Sequence, residues 1–122
     1  MELGGRTLEE IFRAVTGVIA RAAGKASGPH GPWEEIEIAA RDREGLLVDY
    51  ANELVGRSEV EGRAYDELTD VAIAESPNPA LRARIRGRLV TSWRSPLKAA
   101  TYHGAQVSRD GDRWRASILF DV

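Results

Sequence analysis

Hydrophobic and polar residues recur along this chain with two different periods, which predict two helices among several strands. The clearest helix spans about Thr7 to Ala23, because its apolar residues recur every three or four positions. Thr7 and Glu10 form a capping-box pattern at its start, and Gly24 marks its end. The apolar stripe consists of Leu8, Ile11, Phe12, Val15, Val18, Ile19 and Ala22. This stripe must cover another element, most simply a sheet.

A second helix is predicted over about Arg43 to Arg57. Asp42 stands at its N-cap, and Gly56 and Gly62 lie on either side of its C-terminal end. Between the two helices, the Gly- and Pro-rich stretch Lys25–Pro32 predicts a loop.

The remaining segments alternate with a period of two and predict strands. The opening residues Met1–Arg6 are expected to contain the end of a strand. Apolar residues share one face in Glu34–Arg41, in Thr69–Glu75 and in Leu81–Thr91, and Pro77-Asn78-Pro79 turns the chain between the last two. A hairpin around Asp110-Gly111 closes the sequence. The order predicts one α+β domain over residues 1–122, in which two helices pack on one side of a mostly antiparallel sheet.

The amino-acid composition excludes several classes of functional site. The chain has 122 residues, 43% of them hydrophobic and 30% charged, a net charge of −2 and no cysteine. Disulfides, thiolate nucleophiles and sulfur-ligated zinc are therefore excluded, and a protein that coats nucleic acid would usually be basic. No apolar run approaches the ~18–20 residues of a membrane span. We expect a cytoplasmic protein without membrane contact. The sequence contains no G-x-S-x-G or H-x-x-x-H pattern, so it gives no support to hydrolase chemistry.

Three groups of charged residues could carry chemistry. Arg82, Arg84, Arg86 and Arg88 alternate along one strand, so they form a positive stripe about 20 Å long. The stripe could dock an anionic partner or be a solvated face that acids such as Asp70 and Glu75 neutralise, and no exposed aromatic pattern accompanies it. Asp49 and Glu53, with Asn52 beside them, could hold a hard cation or simply face solvent.

The third group lies in the final hairpin. Of the 17 basic residues only Lys25 and Lys98 are lysines, which makes Lys98 unusual. Asp121 ends a strand that otherwise favours burial, and it adjoins the terminal carboxylate of Val122. These two anions could share a divalent ion or Lys98, or they could fray in water. A two-residue turn at Asp110-Gly111 would place Ala100 opposite Asp121, whereas a three-residue loop would place Thr101 there.

These residues resemble the archease family. The resemblance rests on LKAATYHGAQV and DRWRASILFDV in the hairpin, on GRTLEE at the first helix, and on LLVDY with NEL at the second. It extends from Gly5 to Val122. Archeases are small α+β cofactor proteins of the RtcB-type RNA ligase of tRNA splicing and RNA repair. They promote guanylylation and turnover of the ligase without ligation chemistry of their own, so RNA is contacted only indirectly.

The resemblance also implies site residues. The essential lysine of the family matches Lys98, its C-terminal acid matches Asp121, and Tyr102 and His103 belong to the same block. A divalent ion, calcium or magnesium, is implied near Asp121 and Val122. Archeases usually begin with a strand that carries a Glu-His-Thr-Ala-Asp block, and the aspartate of this block belongs to the same site. The present sequence starts after the position of that block. Either the start was misassigned, or the protein is a divergent relative.

The second interpretation leads to an alternative function, a non-catalytic protein-binding or chaperone-like module with a degenerate metal site. A sheet edge left without its first strand could also pair in a homo-oligomer.

Overall fold

A computed structural model describes residues 1–94 and 98–121 of the chain. Its elements in chain order are β1 (Glu2–Gly5), α1 (Leu8–Ala23), β2 (Gly24–Ser27), β3 (Glu34–Ala39), α2 (Arg43–Glu61), β4 (Arg63–Ala74), β5 (Ala80–Trp93), β6 (Ala100–Asp110) and β7 (Arg113–Phe120). Every strand pairing is antiparallel. The predicted α+β class, with two helices and antiparallel strands, is confirmed.

The strands form two sheets. Strand β5 is the centre of a four-stranded sheet: β4 pairs along one of its edges, while β3 and β2 follow each other along the opposite edge. In the second sheet, β7 lies between β1 and β6. Both helices contact strands of both sheets, so the helices join the two sheets around one core.

The core forms where the apolar stripe of α1 meets α2. Ile11, Phe12 and Val15 are fully or almost fully buried, and the rings of Phe12 and Tyr50 form a T-shaped pair with centroids 5.2 Å apart. The hydroxyl of Thr16 donates to the carbonyl of Phe12, which leaves its oxygen to accept from the Tyr50 hydroxyl at 2.5 Å. Burial raises the pKa of Tyr50 to about 12, so the phenol stays protonated as a structural donor.

Three predicted boundaries are wrong for identifiable reasons. The predicted loop at Lys25–Pro32 begins within β2, because Gly24–Ser27 pairs with the end of β5. The second helix continues one turn past Arg57 to Glu61, where Gly62 adopts a left-handed φ of 68°. Strand β4 starts at Arg63 rather than Thr69, since its first residues continue the ladder with β5.

The helix starts are as the sequence predicts. At α1 both halves of the capping box are formed, with the Thr7 side chain accepting from the Glu10 backbone and the Glu10 carboxylate accepting from the backbone of Thr7. At α2 the Asp42 carboxylate accepts from the Gly45 backbone N–H at 2.6 Å. Within residues 1–94 and 98–121, neither helix is long and apolar enough to cross a membrane.

Candidate functional site

Backbone hydrogen bonds hold Lys98 beside Asp121. The Asp121 N–H donates to the Ala99 carbonyl at 2.8 Å, and the Lys98 N–H donates to the Asp121 carbonyl at 3.2 Å. Both side chains are exposed to solvent. The structure thus places Lys98 beside Asp121, which is one of the arrangements that the sequence left open, and their contact is made through the main chain.

A wide bulge in β6 sets this register. The hairpin turns at Gly111-Asp112, since Asp110 pairs with Arg113, and the ladder runs regularly to the Gln106–Ser117 pair. Four residues of β6, from Tyr102 to Ala105, then face Ile118 alone before pairing resumes at Thr101–Leu119. Both predicted registers are therefore wrong: Ala99, rather than Ala100 or Thr101, lies opposite Asp121, because neither prediction contained the bulge.

Asn52 of α2 fixes the start of β6 against the helix. Its side-chain amide donates to the Ala100 carbonyl at 3.1 Å, and its side-chain oxygen accepts from the Ala100 N–H at 2.6 Å. Ala100 is buried, so these bonds satisfy a polar backbone that solvent does not reach. Because Lys98 stands two residues before Ala100, these two hydrogen bonds also hold the backbone next to Lys98 against α2.

Tyr102 is held by the same helix. Its hydroxyl donates to the Asp49 carboxylate, while its ring remains 58% exposed. The hydrogen bond to Asp49, then desolvation and the negative charges of Asp49 and Asp42, raise the pKa of Tyr102. The phenol is therefore protonated at neutral pH and acts as a fixed donor rather than a base. Its neighbour His103 is exposed, and the His103 N–H donates to Thr101 Oγ1 at 3.2 Å.

The two carboxylates predicted as a pair on α2 have separate partners. Asp49 holds Tyr102, whereas Glu53 bonds Arg57 at 2.8 Å on the exposed face of the helix. Across residues 1–94 and 98–121, no three carboxylate or imidazole side chains come together in a way that could hold a metal ion. Asp121 offers one carboxylate, and Val122 lies outside the described residues. Calcium takes six to eight oxygen ligands, so carbonyl groups or waters would have to supply most of them here, and metal binding at Asp121 stays a prediction.

The arginine stripe lies on the outer face of the four-stranded sheet, and carboxylates face most of it. Arg82 approaches Glu37 at 3.8 Å, Arg84 lies within 4.0 Å of Asp70 and Glu35, and Arg86 bonds Glu67 at 3.0 Å. Arg88 is also exposed.

Two expectations about the stripe are wrong. Glu75 does not neutralise it, since this carboxylate pairs with Arg43 at 2.5 Å. An exposed aromatic residue does accompany it, because the guanidinium of Arg86 stacks over Trp33 at 4.3 Å from the ring centroid. Docking by the stripe stays a prediction.

This combination of fold and hairpin motif occurs in a known group of proteins. The Archease protein family (MTH1598/TM1083) matches the chain over residues 1–122. The chain belongs to this family. The resemblance predicted from the hairpin and the helix motifs is confirmed.

Relatives from archaea agree with this assignment. The chain is 31% identical over 97 residues to protein archease of Methanopyrus kandleri, an alignment that covers 75% of this chain and 69% of the relative. It is 28% identical over 127 residues to protein archease of Methanosarcina barkeri, covering 97% and 85%.

Solved structures share the fold. An archease and possible chaperone from Thermotoga maritima aligns with a TM-score of 0.68 and 21% identity, over 100% of this chain and 88% of that one. Protein 1598 of Methanobacterium thermoautotrophicum aligns with a TM-score of 0.74 and 21% identity, over 98% and 89%. At this identity the likeness establishes the fold alone.

Proposed function

We propose that this archease-family protein is an accessory protein that promotes guanylylation and turnover of an RtcB-type RNA ligase in tRNA splicing and RNA repair. The family is associated with tRNA splicing and RNA ligation, and the sequence motifs match it at Lys98 and Asp121. The observation that carries the proposal is the backbone pairing of these two residues at an exposed edge, beside Tyr102 and His103. RNA would be contacted only through the ligase, and we place this function in the cytoplasm.

The geometry supports an activator better than an enzyme. The Tyr102 hydroxyl is committed to Asp49, so it is not available as a nucleophile or base. Lys98 ends in a flexible, solvent-facing ammonium, which suits a cation that enters a partner's site and faces phosphate oxygens. We assign that role to Lys98. Asp121 would act as its close anionic neighbour, and Tyr102 and His103 would contribute the surrounding contact surface.

Removing the Lys98 charge tests this proposal directly. We expect Lys98→Ala and Asp121→Ala to reduce the activated rate of ligase guanylylation by about tenfold or more, since a charge-assisted phosphate contact is lost. The measurement is transfer of labelled GMP from GTP to the ligase in the presence of its metal. Lys25→Ala removes the other lysine, on β2, and serves as the matched control. Equal rates for all four proteins would exclude these residues as the activating site.

The alternative function, a protein-binding or chaperone-like module with a degenerate metal site, has one observation in its favour. Within the part of the chain that the structure describes, Asp121 belongs to no group of three carboxylate or imidazole side chains that could hold a metal ion. A module of this kind would bind its partner without accelerating guanylylation. It would also bind the partner equally well when Asp121 is replaced.

Metal binding separates the two interpretations. We expect calcium and magnesium to bind this chain with a Kd of about 10⁻⁴ M or weaker, because the described residues contain no group of three carboxylate or imidazole ligands around Asp121. Isothermal titration calorimetry of the wild type and of Asp121→Asn measures this. Tighter binding that disappears in Asp121→Asn would contradict the expectation and count against the degenerate module.

A further inference from the structure

A cavity of about 630 Å³ opens between the C-terminal halves of the two helices, and Lys98 lies in its wall. Its apolar lining comes from Ile19 and Ala23 of α1 and from Val55 of α2. The volume lies within the ~300–1,000 Å³ that is typical of small-molecule sites. The cavity is thus large enough for a ligand, and it adjoins the residue to which we assign activation.

Three further side chains give the cavity chemical character. Trp93, at the end of β5, is 49% exposed and offers an indole surface on which a planar ring can stack. Lys98 supplies an ammonium group and Glu59 a carboxylate. Among the contacts of residues 1–94 and 98–121, neither charge is in an ion pair within 4.0 Å. The lining of the cavity thus includes one cation and one carboxylate.

These features together fit one class of ligand. A planar base would stack on Trp93 and fill the apolar walls, and a phosphate would meet the Lys98 ammonium. The Glu59 carboxylate accepts hydrogen bonds, so it favours a base that presents donors. Guanine presents both N1–H and the N2 amino group on one edge, whereas adenine offers an acceptor at N1. An apolar side chain of a partner protein would fill the walls but would leave Lys98 and Glu59 unused.

We infer that this cavity binds the guanosine 5′-monophosphate moiety, with the base between Trp93 and Glu59 and the phosphate on Lys98. The inference deepens the proposed function and rests on it, because guanylylation is what makes a guanosine nucleotide the relevant ligand. The moiety can come from free GMP or from the guanylyl group carried by the ligase.

Calorimetric titration of the full chain with GMP tests the inference without the ligase. We expect saturable GMP binding, at least about tenfold weaker binding of AMP, and little binding of inorganic phosphate. Lys98→Met should weaken GMP binding about tenfold, and Glu59→Gln should reduce the preference for GMP over AMP. Trp93→Leu should weaken both nucleotides together.

Matched variants and a second assay complete the design. Arg113→Met and Glu2→Gln remove an exposed cation and an exposed carboxylate elsewhere and should leave GMP binding unchanged. If excess GMP weakens association of this chain with guanylylated ligase, the ligase supplies the moiety; if it does not, free nucleotide does. No saturable GMP binding up to about 5 mM, or GMP binding by both Glu59→Gln and Lys98→Met that equals that of the wild type, overturns the inference. Loss of guanylylation in Lys98→Ala would then still support the proposed function.

Discussion

Replacing Gly87 with alanine is expected to destabilise the fold by about 3 kcal/mol, because the new methyl group has no room. Gly87 lies in β5, at the centre of the four-stranded sheet and opposite Tyr65 of β4. A Cβ atom there would stand 2.2 Å from the Ala64 carbonyl oxygen and 2.9 Å from the Tyr65 Cα. Both are backbone atoms, so no side chain can turn away, and the two strands must separate.

The loss would be a large part of the stability of a domain this size, which is typically about 5–15 kcal/mol. Urea unfolding followed by circular dichroism measures it as a lower midpoint, or as a chain already unfolded in buffer. Gly56→Ala is the matched control. Gly56 lies inside α2 with no atom within 4 Å of the added Cβ, so the same substitution should stabilise the protein by about 0.5–1 kcal/mol. A Gly87→Ala midpoint equal to that of the wild type would show that β4 and β5 can part at no cost.

The contrast between these two glycines illustrates what the sequence can predict. Local signals are sufficient for α1, because its cap, its apolar stripe and its final Gly24 all belong to one continuous segment. The same is true of the start of α2 at Asp42. Nothing local distinguishes Gly87 from Gly56, since the obstacle at Gly87 is the backbone of β4 and arises only when the strands pair.

At the candidate site, too, some features follow from local sequence and others only from tertiary contacts. A neighbour of Asp121 within Lys98–His103 could be predicted, because two strands joined by a short turn must return to each other. The register could not, since it depends on the four-residue bulge from Tyr102 to Ala105, and the Tyr102 hydroxyl within that bulge bonds Asp49 of α2, 53 positions away in the sequence. In the sequence, Asn52 stands out only by its position between Asp49 and Glu53. Its bonds to Ala100 join residues 48 positions apart, and no periodicity reports such a contact.

The two hydrogen bonds from Asn52 to Ala100 lead to the second prediction, a loss of both stability and ligase activation. Asn52→Ala should lower the free energy of unfolding by about 2–4 kcal/mol, because the buried N–H and C=O of Ala100 both lose their partner. It should also lower ligase activation about as much as Lys98→Ala does, since the segment that carries Lys98 loses its anchor. The core of the domain does not involve Asn52, so the variant should still fold. Urea unfolding and the guanylylation assay measure the two effects.

A double substitution distinguishes positioning from general weakening. If Asn52 acts by holding the Lys98 segment, then Asn52→Ala combined with Lys98→Ala should activate the ligase no less than Lys98→Ala alone. Glu53→Ala, one residue along the helix, removes only an exposed ion pair with Arg57, worth less than about 1 kcal/mol, and should leave activation unchanged. Additive losses in the double variant at a temperature where both proteins are fully folded would refute the positioning role. The same amide that satisfies a buried strand end would then have no part in presenting the lysine to the ligase.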